Sequence, residues 1–144
     1  MPSILLTTDS ALEHSALIGL AVRGICSRTV PDEDDAYLLE LCVVEAVSNV
    51  VRHAYGSRPG NQVEVEVETG PERLAFRIRD RGKAMDTAML DAPPMRPPSS
   101  LDELPEGGMG LPIIRETMDE VAYSSRGGVN ELTMVKLLPV RRED

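Results

Sequence analysis

Tryptophan is absent from these 144 residues, and aromatic residues make up 3%, three tyrosines and one phenylalanine. The core must therefore be filled by Val, Leu, Ile, Ala and Met. A hydrophobic content of 42% suits a globular chain rather than a disordered one. Only two cysteines occur, Cys26 and Cys42, with no CxxC pair, and both sit in apolar helical patterns. Buried reduced thiols are the expectation, with a disulfide or a reactive nucleophile as the alternative. Two histidines, His14 and His53, argue against a zinc site. No run approaches the ~20 apolar residues that span a bilayer, and the first residues lack a basic segment followed by a long apolar run. A soluble cytoplasmic protein with no membrane role is expected. Basic residues are scarce as well: 15 against 24 acidic give a net charge of −9. That balance argues against direct nucleic-acid binding. It does not exclude an anionic nucleotide, whose charge a divalent cation and backbone N–H groups can offset.

What is present fits a single domain over residues 1–144. An apolar run at 4–7 predicts an edge strand. Helical patterns follow at 11–29, with Leu12, Ala16, Leu20 and Gly24 as its buried side and Gly19 and Gly24 permitting close approach of a neighbour, and at 34–54, opened by the acidic stretch 32–35. Arg23 and Arg28 are read as solvated, with an acidic partner the other option. Residues 62–68 alternate strictly, valines at 63, 65 and 67 against Gln62, Glu64, Glu66 and Glu68, and 74–80 alternates again with Arg77 and Arg79 outward. Acidic residues on one strand opposite basic ones on the next favour an antiparallel pair. Proline then dominates 91–106, a segment that reads as a mobile lid or a plain solvated loop. A last helix at 111–120 and strands at 121–125 and 132–138, joined by a turn over 126–130, complete the chain. The expected fold class is α/β, a sheet with one wet face and one face covered by helices.

Three groups stand out as candidates for chemistry. On the 34–54 helix, Leu39, Val43, Ala46, Val47, Val50 and Ala54 form an apolar stripe, while Glu45, Asn49, Arg52 and His53 share another face. A carboxylate one turn before a carboxamide suits a divalent metal and a reacting hydroxyl; a partly solvated helix face is the plain alternative. Asp80-Arg81-Gly82 ends a strand, where an Asp is commonly a turn former. Gly107-Gly108-Met109-Gly110 opens a helix, either as a simple turn or as a set of free N–H groups for phosphate. It is neither a Walker A motif nor a Rossmann fingerprint.

Order and spacing together are more specific. Glu45-Ala46-Val47-Ser48-Asn49-Val50-Val51-Arg52-His53-Ala54-Tyr55 resembles the N box of the histidine-kinase-type ATPases, the superfamily that includes gyrase and MutL, and its wording is most similar to the anti-sigma-factor serine/threonine kinases of the RsbW type. Asp80-Arg81-Gly82 resembles the D-x-G box, Gly108-Met109-Gly110-Leu111 with Met118-Asp119-Glu120-Val121 the second glycine box, and Asn130-x-x-Thr133-x-x-Lys136 the closing strand. The resemblance covers almost the whole chain. It implies a two-layer α/β sandwich of the Bergerat type, with a mixed, mostly antiparallel sheet, and ATP and Mg²⁺ as ligands. By the same resemblance Glu45 is the catalytic base and Asn49 the Mg²⁺ ligand. Asp80 accepts from the adenine amine, and Gly82 lets backbone approach the base. Gly108, Met109, Gly110 and Leu111 wrap the phosphates, Thr133 supports the base, 91–106 is the ATP lid, and His53 is structural. The implied partners are an anti-sigma-factor antagonist as substrate, a sigma factor to sequester, and a second copy in a homodimer. Some related kinases switch other signalling partners, and a nucleotide-binding scaffold without transfer is a further alternative. The family pattern is broken at Lys83-Ala84-Met85-Asp86, where a Gly or Pro usually follows closely; the far wall of the adenine pocket is expected to differ there.

Overall fold

The computed structural model describes residues 2–91 and 110–139. The implied lid at 91–106, apart from Asp91, and the glycine-box residues Gly107, Gly108 and Met109 lie outside them.

Among the described residues, five strands form one sheet in the order β1-β2-β3-β5-β4, with each of the four pairings antiparallel. They are β1 (Ser3–Asp9), β2 (Gln62–Thr69), β3 (Arg73–Asp80), β4 (Glu120–Arg126) and β5 (Val129–Leu137). β1 takes the edge position, as the short apolar run predicts. Alternation works through β2 and β3: Val63, Val65 and Val67 are fully buried, as are Leu74, Phe76 and Ile78. Their opposite faces meet in register, Glu64 beside Arg79 and Glu66 beside Arg77. Arg79 binds both Glu66 and Glu131 across that wet face. Half-exposed pairs of this kind contribute little each, about 0–1 kcal/mol, so the valine face, not the charge ladder, holds the sheet to the helices.

Helices α1 (Ser15–Cys26), α2 (Glu33–Asn49) and α3 (Gly110–Thr117) cover the inner face. The side chain of Asp32 caps α2 by accepting from the N–H groups of Asp34 and Asp35 at 2.9 and 3.2 Å. Both cysteine thiols are buried and unbridged, as expected, and burial pushes the pKa of Cys26 up to about 11 and of Cys42 up to about 12.

α1 corrects the expected helix face. Its buried side is Ser15, Ile18, Gly19, Val22 and Cys26, while Leu12 and Leu20 are 39% and 61% exposed, and Ala16 and Gly24 are exposed too. The cause is the close crossing with α2, where a β-carbon on Gly19 would stand 2.4 Å from the Val44 side chain. The helix turns Gly19, rather than its leucines, toward α2, which is the close approach expected of Gly19; a β-carbon on Gly24 would meet nothing within 4 Å. Arg23 takes the acidic-partner option while staying partly solvated, its guanidinium 3.6 Å from the buried carboxylate of Glu40. α3 ends at Thr117, and Glu120 already starts β4.

The β4–β5 hairpin is tighter than the 126–130 turn expected. Only Gly127 and Gly128 stand between the strands, at φ 59° and 80°, the two positive values that a two-residue turn requires. Asn130 is thereby drawn into β5, opposite Asp80 on one side and Ser125 on the other.

Candidate functional site

α2 does not end as a plain α-helix. Val50–Ala54 forms a wider π turn, closed by the Tyr55 N–H donating to the Val50 carbonyl at 3.1 Å. Such bulges cluster at functional sites because they re-aim side chains and loosen carbonyls from the helical ladder. Here the loosened carbonyl of Ala54 accepts the Lys83 N–H at 2.9 Å.

That bond seats the loop after β3 against the π turn that follows α2, and other bonds fix the rest of it. Arg81 N–H donates to the Tyr55 hydroxyl at 2.9 Å, Gly82 N–H to Asp80 Oδ1 at 2.9 Å, and Met85 N–H to the Tyr123 hydroxyl at 2.8 Å. Gly82 is needed for this seating: its bare α-carbon faces the Ala54 backbone. The close approach Gly82 makes here is to the Ala54 backbone of the π turn, and Gly82 is not part of the cavity wall.

A cavity of about 380 Å³ lies between this loop, the π turn and the sheet. Its size and largely apolar walls, with few polar groups, suit a flat heterocycle. Ala46, Ile78, Met85, Leu111, Tyr123 and Leu132 supply apolar wall; Asn49, His53, Asp80, Lys83 and Asp86 supply the polar groups. Lys83, Ala84, Met85 and Asp86, the stretch that departs from the family pattern, all line it.

Asp80 is 7% exposed, and burial pushes its pKa up, against the opposing hydrogen bonds from Asn130 and Gly82. Asn49 is half-buried on the wall, and its carboxamide makes no hydrogen bond among the described residues. Mg²⁺ keeps several waters and takes few protein ligands beside substrate phosphates. A single unpartnered carboxamide oxygen at a cavity wall fits such an ion.

Glu45 sits one turn before Asn49, buried, with its pKa raised by desolvation and held back by Arg52. It does not line the described cavity. Leu111 is on the wall, and Gly110 begins α3; Gly108 and Met109 lie outside the described residues. His53 is exposed at the rim rather than packed inside.

Thr133 is not brought to the site. It pairs with Arg77 and Ala122, on the wet face, while Leu132 on the inner face lines the cavity. Strict alternation sends neighbours to opposite faces, so a strand that turns Leu132 inward must turn Thr133 outward. Besides Leu132, β5 contributes Asn130, which does not line the cavity but whose Nδ2 donates to Asp80 Oδ1 at 2.8 Å. Tyr123 was also hidden; the alternation of Val121 and Tyr123 along β4 was the signal for its inward face.

A family model described as "histidine kinase-like ATPase domain" matches residues 8–136. Among curated proteins, the chain is 34% identical over 134 residues to the serine-protein kinase RsbW of Bacillus velezensis, covering 92% of this chain and 83% of that protein. It is 32% identical to the protein of the same name in Bacillus subtilis with the same coverage, and 31% identical to that of Staphylococcus aureus, covering 90% and 82%. Among solved structures, the RsbU and RsbW domains of Rv1364c from Mycobacterium tuberculosis superpose with a TM-score of 0.65 at 17% identity, over all of this chain and 35% of that one. That likeness concerns the fold. Among the described residues no helix is long and apolar enough to cross a membrane.

Proposed function

This chain belongs to the histidine kinase-like ATPase family, and on that footing we propose that it is an ATP-dependent serine/threonine protein kinase acting as an anti-sigma factor. It phosphorylates an anti-sigma-factor antagonist and sequesters a sigma factor, so the state of one partner decides which is held. The observation that carries this reading is the cavity itself. A mostly apolar slot is bounded by a buried acceptor, Asp80, and by Asn49, whose carboxamide has no hydrogen-bond partner among the described residues. The relatives that match most of the chain are named serine-protein kinases.

In this reading adenine enters the slot and its exocyclic amine donates to Asp80, while the loop braced by Tyr55, Ala54 and Tyr123 holds one wall in place before ligand arrives. Mg²⁺, held by Asn49 and the phosphates, neutralises charge on the transferring group. Glu45 orients the attacking hydroxyl of the partner and takes its proton, which is most of what a protein must add to phosphoryl transfer. Its desolvated setting makes the carboxylate a better base than an exposed one. The start of α3 at Gly110 and Leu111, with Gly108 and Met109 before it, meets the phosphates.

A second reading, nucleotide-dependent sequestration without transfer, is favoured by one observation: Glu45 is not on the cavity wall. The two separate when the protein is incubated with Mg²⁺, γ-labelled ATP and an antagonist encoded beside it. Label on a serine or threonine of the antagonist supports the kinase; ATP binding without label supports the scaffold. Co-purification with a sigma factor, lost when the unphosphorylated antagonist is added, distinguishes the anti-sigma role from a switch acting on another signalling partner.

A further inference from the structure

Asn130 is 2% exposed and has every polar atom of its side chain engaged. Its Nδ2 donates to Asp80 Oδ1 at 2.8 Å and to the carbonyl of Gly82 at 2.9 Å. Its Oδ1 accepts from the Ser125 hydroxyl at 2.7 Å. An amide has two N–H donors and one oxygen, so this pattern uses the donors on the strand-end loop and turns the oxygen toward β4. The Asp80 carboxylate and the Gly82 carbonyl fix the orientation, because both only accept and a reversed amide would set its oxygen against them; the Ser125 hydroxyl anchors the amide oxygen on the far side. Asp80 Oδ1 therefore receives two donors, from Asn130 and from the Gly82 N–H. No donor among the described residues reaches Oδ2. Asp80 shows the cavity one oriented acceptor, and its plane cannot turn without breaking the bonds to Oδ1.

We propose that Asn130, anchored by Ser125, is the positioning residue that sets base selectivity in this cavity, by locking Asp80 so that a lone carboxylate oxygen faces the ligand. The consequence is chemical. A purine with an amine at the six position gives that oxygen a donor. A purine with a carbonyl there brings acceptor against acceptor, and one with only hydrogen there leaves a desolvated carboxylate unpaired, which is costly. Asn130 touches no ligand atom in this account and acts only through Asp80. An amide is suited to the position because a single nitrogen must bridge the carboxylate and the Gly82 carbonyl, which a hydroxyl with one proton cannot do. The inference rests on the ATP reading and deepens it.

The test compares two probes on the whole chain: ATP, and purine riboside 5′-triphosphate, which differs only in lacking the six-amino group. Affinities are measured by calorimetry with Mg²⁺ present. Wild type should prefer ATP by roughly 10-fold or more. Asn130→Leu, similar in size without the donors, should lose most of that preference by weakening ATP while leaving the deaminated probe within about 2-fold. Equal losses on both probes would make Asn130 merely structural, and unchanged preference would remove it from the site; either overturns the inference. Ser125 is exposed, so Ser125→Ala spares the fold and serves if Asn130→Leu does not fold. Its ATP preference should fall in the same sense by about 2–5-fold, and no fall overturns the inference. A wild-type protein that binds neither probe overturns the ATP reading and this inference with it; one that binds ATP with unchanged variants overturns the inference alone.

Discussion

The α-carbon of Gly82 lies so close to the carbonyl of Ala54 that a β-carbon added there would stand 2.4 Å from the oxygen and 2.7 Å from the carbonyl carbon. Backbone is the obstacle on that side, and it is pinned by the Lys83 N–H bond to the same oxygen. Gly82→Ala must therefore push the loop off the π turn. A loss of about 1–3 kcal/mol, the usual cost of overpacking, is expected in urea denaturation, with weaker ATP binding because Asp80 and Lys83 move together. Wild-type stability in this variant would mean that the contact is soft.

Asn49 makes no protein hydrogen bond among the described residues, so replacing it should cost the fold little. Asn49→Ala should instead shift the Mg²⁺ concentration needed for ATP use upward by ~10-fold or more, at least the loss seen when a metal ligand's supporting partner is removed. A Mg²⁺ titration of activity reads this directly. Superimposable curves would take the metal role away from Asn49.

Glu45 and Asp80 both have their pKa raised, in each case first by desolvation. Such a carboxyl binds its proton more tightly in the folded chain than in the unfolded one. Stability from these groups is therefore fullest below the ordinary values of 4.5 and 3.8, and is lost as pH rises through that window to their raised values. Glu45→Gln removes the ionisation, so it should raise the melting temperature at pH 7 and approach wild type as pH falls toward ~4. A variant less stable than wild type at pH 7 would show that the Glu45 charge, with Arg52 nearby, is a net support.

The two faces of α1 give a separate check. Ile18 is 6% exposed and Leu20 is 61% exposed. Ile18→Ala should cost about 2–5 kcal/mol, whereas Leu20→Ala should stay within about 0.5 kcal/mol. Thermal unfolding of both at low protein concentration reads the difference. A large loss at Leu20 would restore it to a buried position.

The differences between sequence and structure have physical causes. β2 and β3 were legible because each alternates cleanly, valine against glutamate and then apolar against arginine, and only one face can be dry. α1 was not, because Leu12, Leu17 and Leu20 compete with Ile18 and Val22, and apolar residues on most sides leave periodicity without a phase. Glu45, Asn49, Asp80 and Gly82 were legible as motif residues, but the contact that requires Gly82 is tertiary, made with a helix end far away in sequence. Asn130 was legible as a motif position, but its contact with Asp80 was hidden by the hairpin: the 126–130 stretch looked like a turn, while two glycines at positive φ sufficed. Once Asn130 joined β5, the strand's parity put Thr133 on the face away from the cavity.

Transfer of label from γ-labelled ATP to the antagonist, by wild type and Glu45→Gln side by side, tests the central claim most directly. The account predicts a labelled serine or threonine with wild type. It predicts transfer slower by about 10²–10⁴-fold in the variant, the usual worth of a general base, with ATP affinity within about 2-fold. Equal labelling by the two proteins would contradict the role of Glu45, and absence of label from a wild type that binds Mg·ATP and the antagonist would contradict the kinase itself.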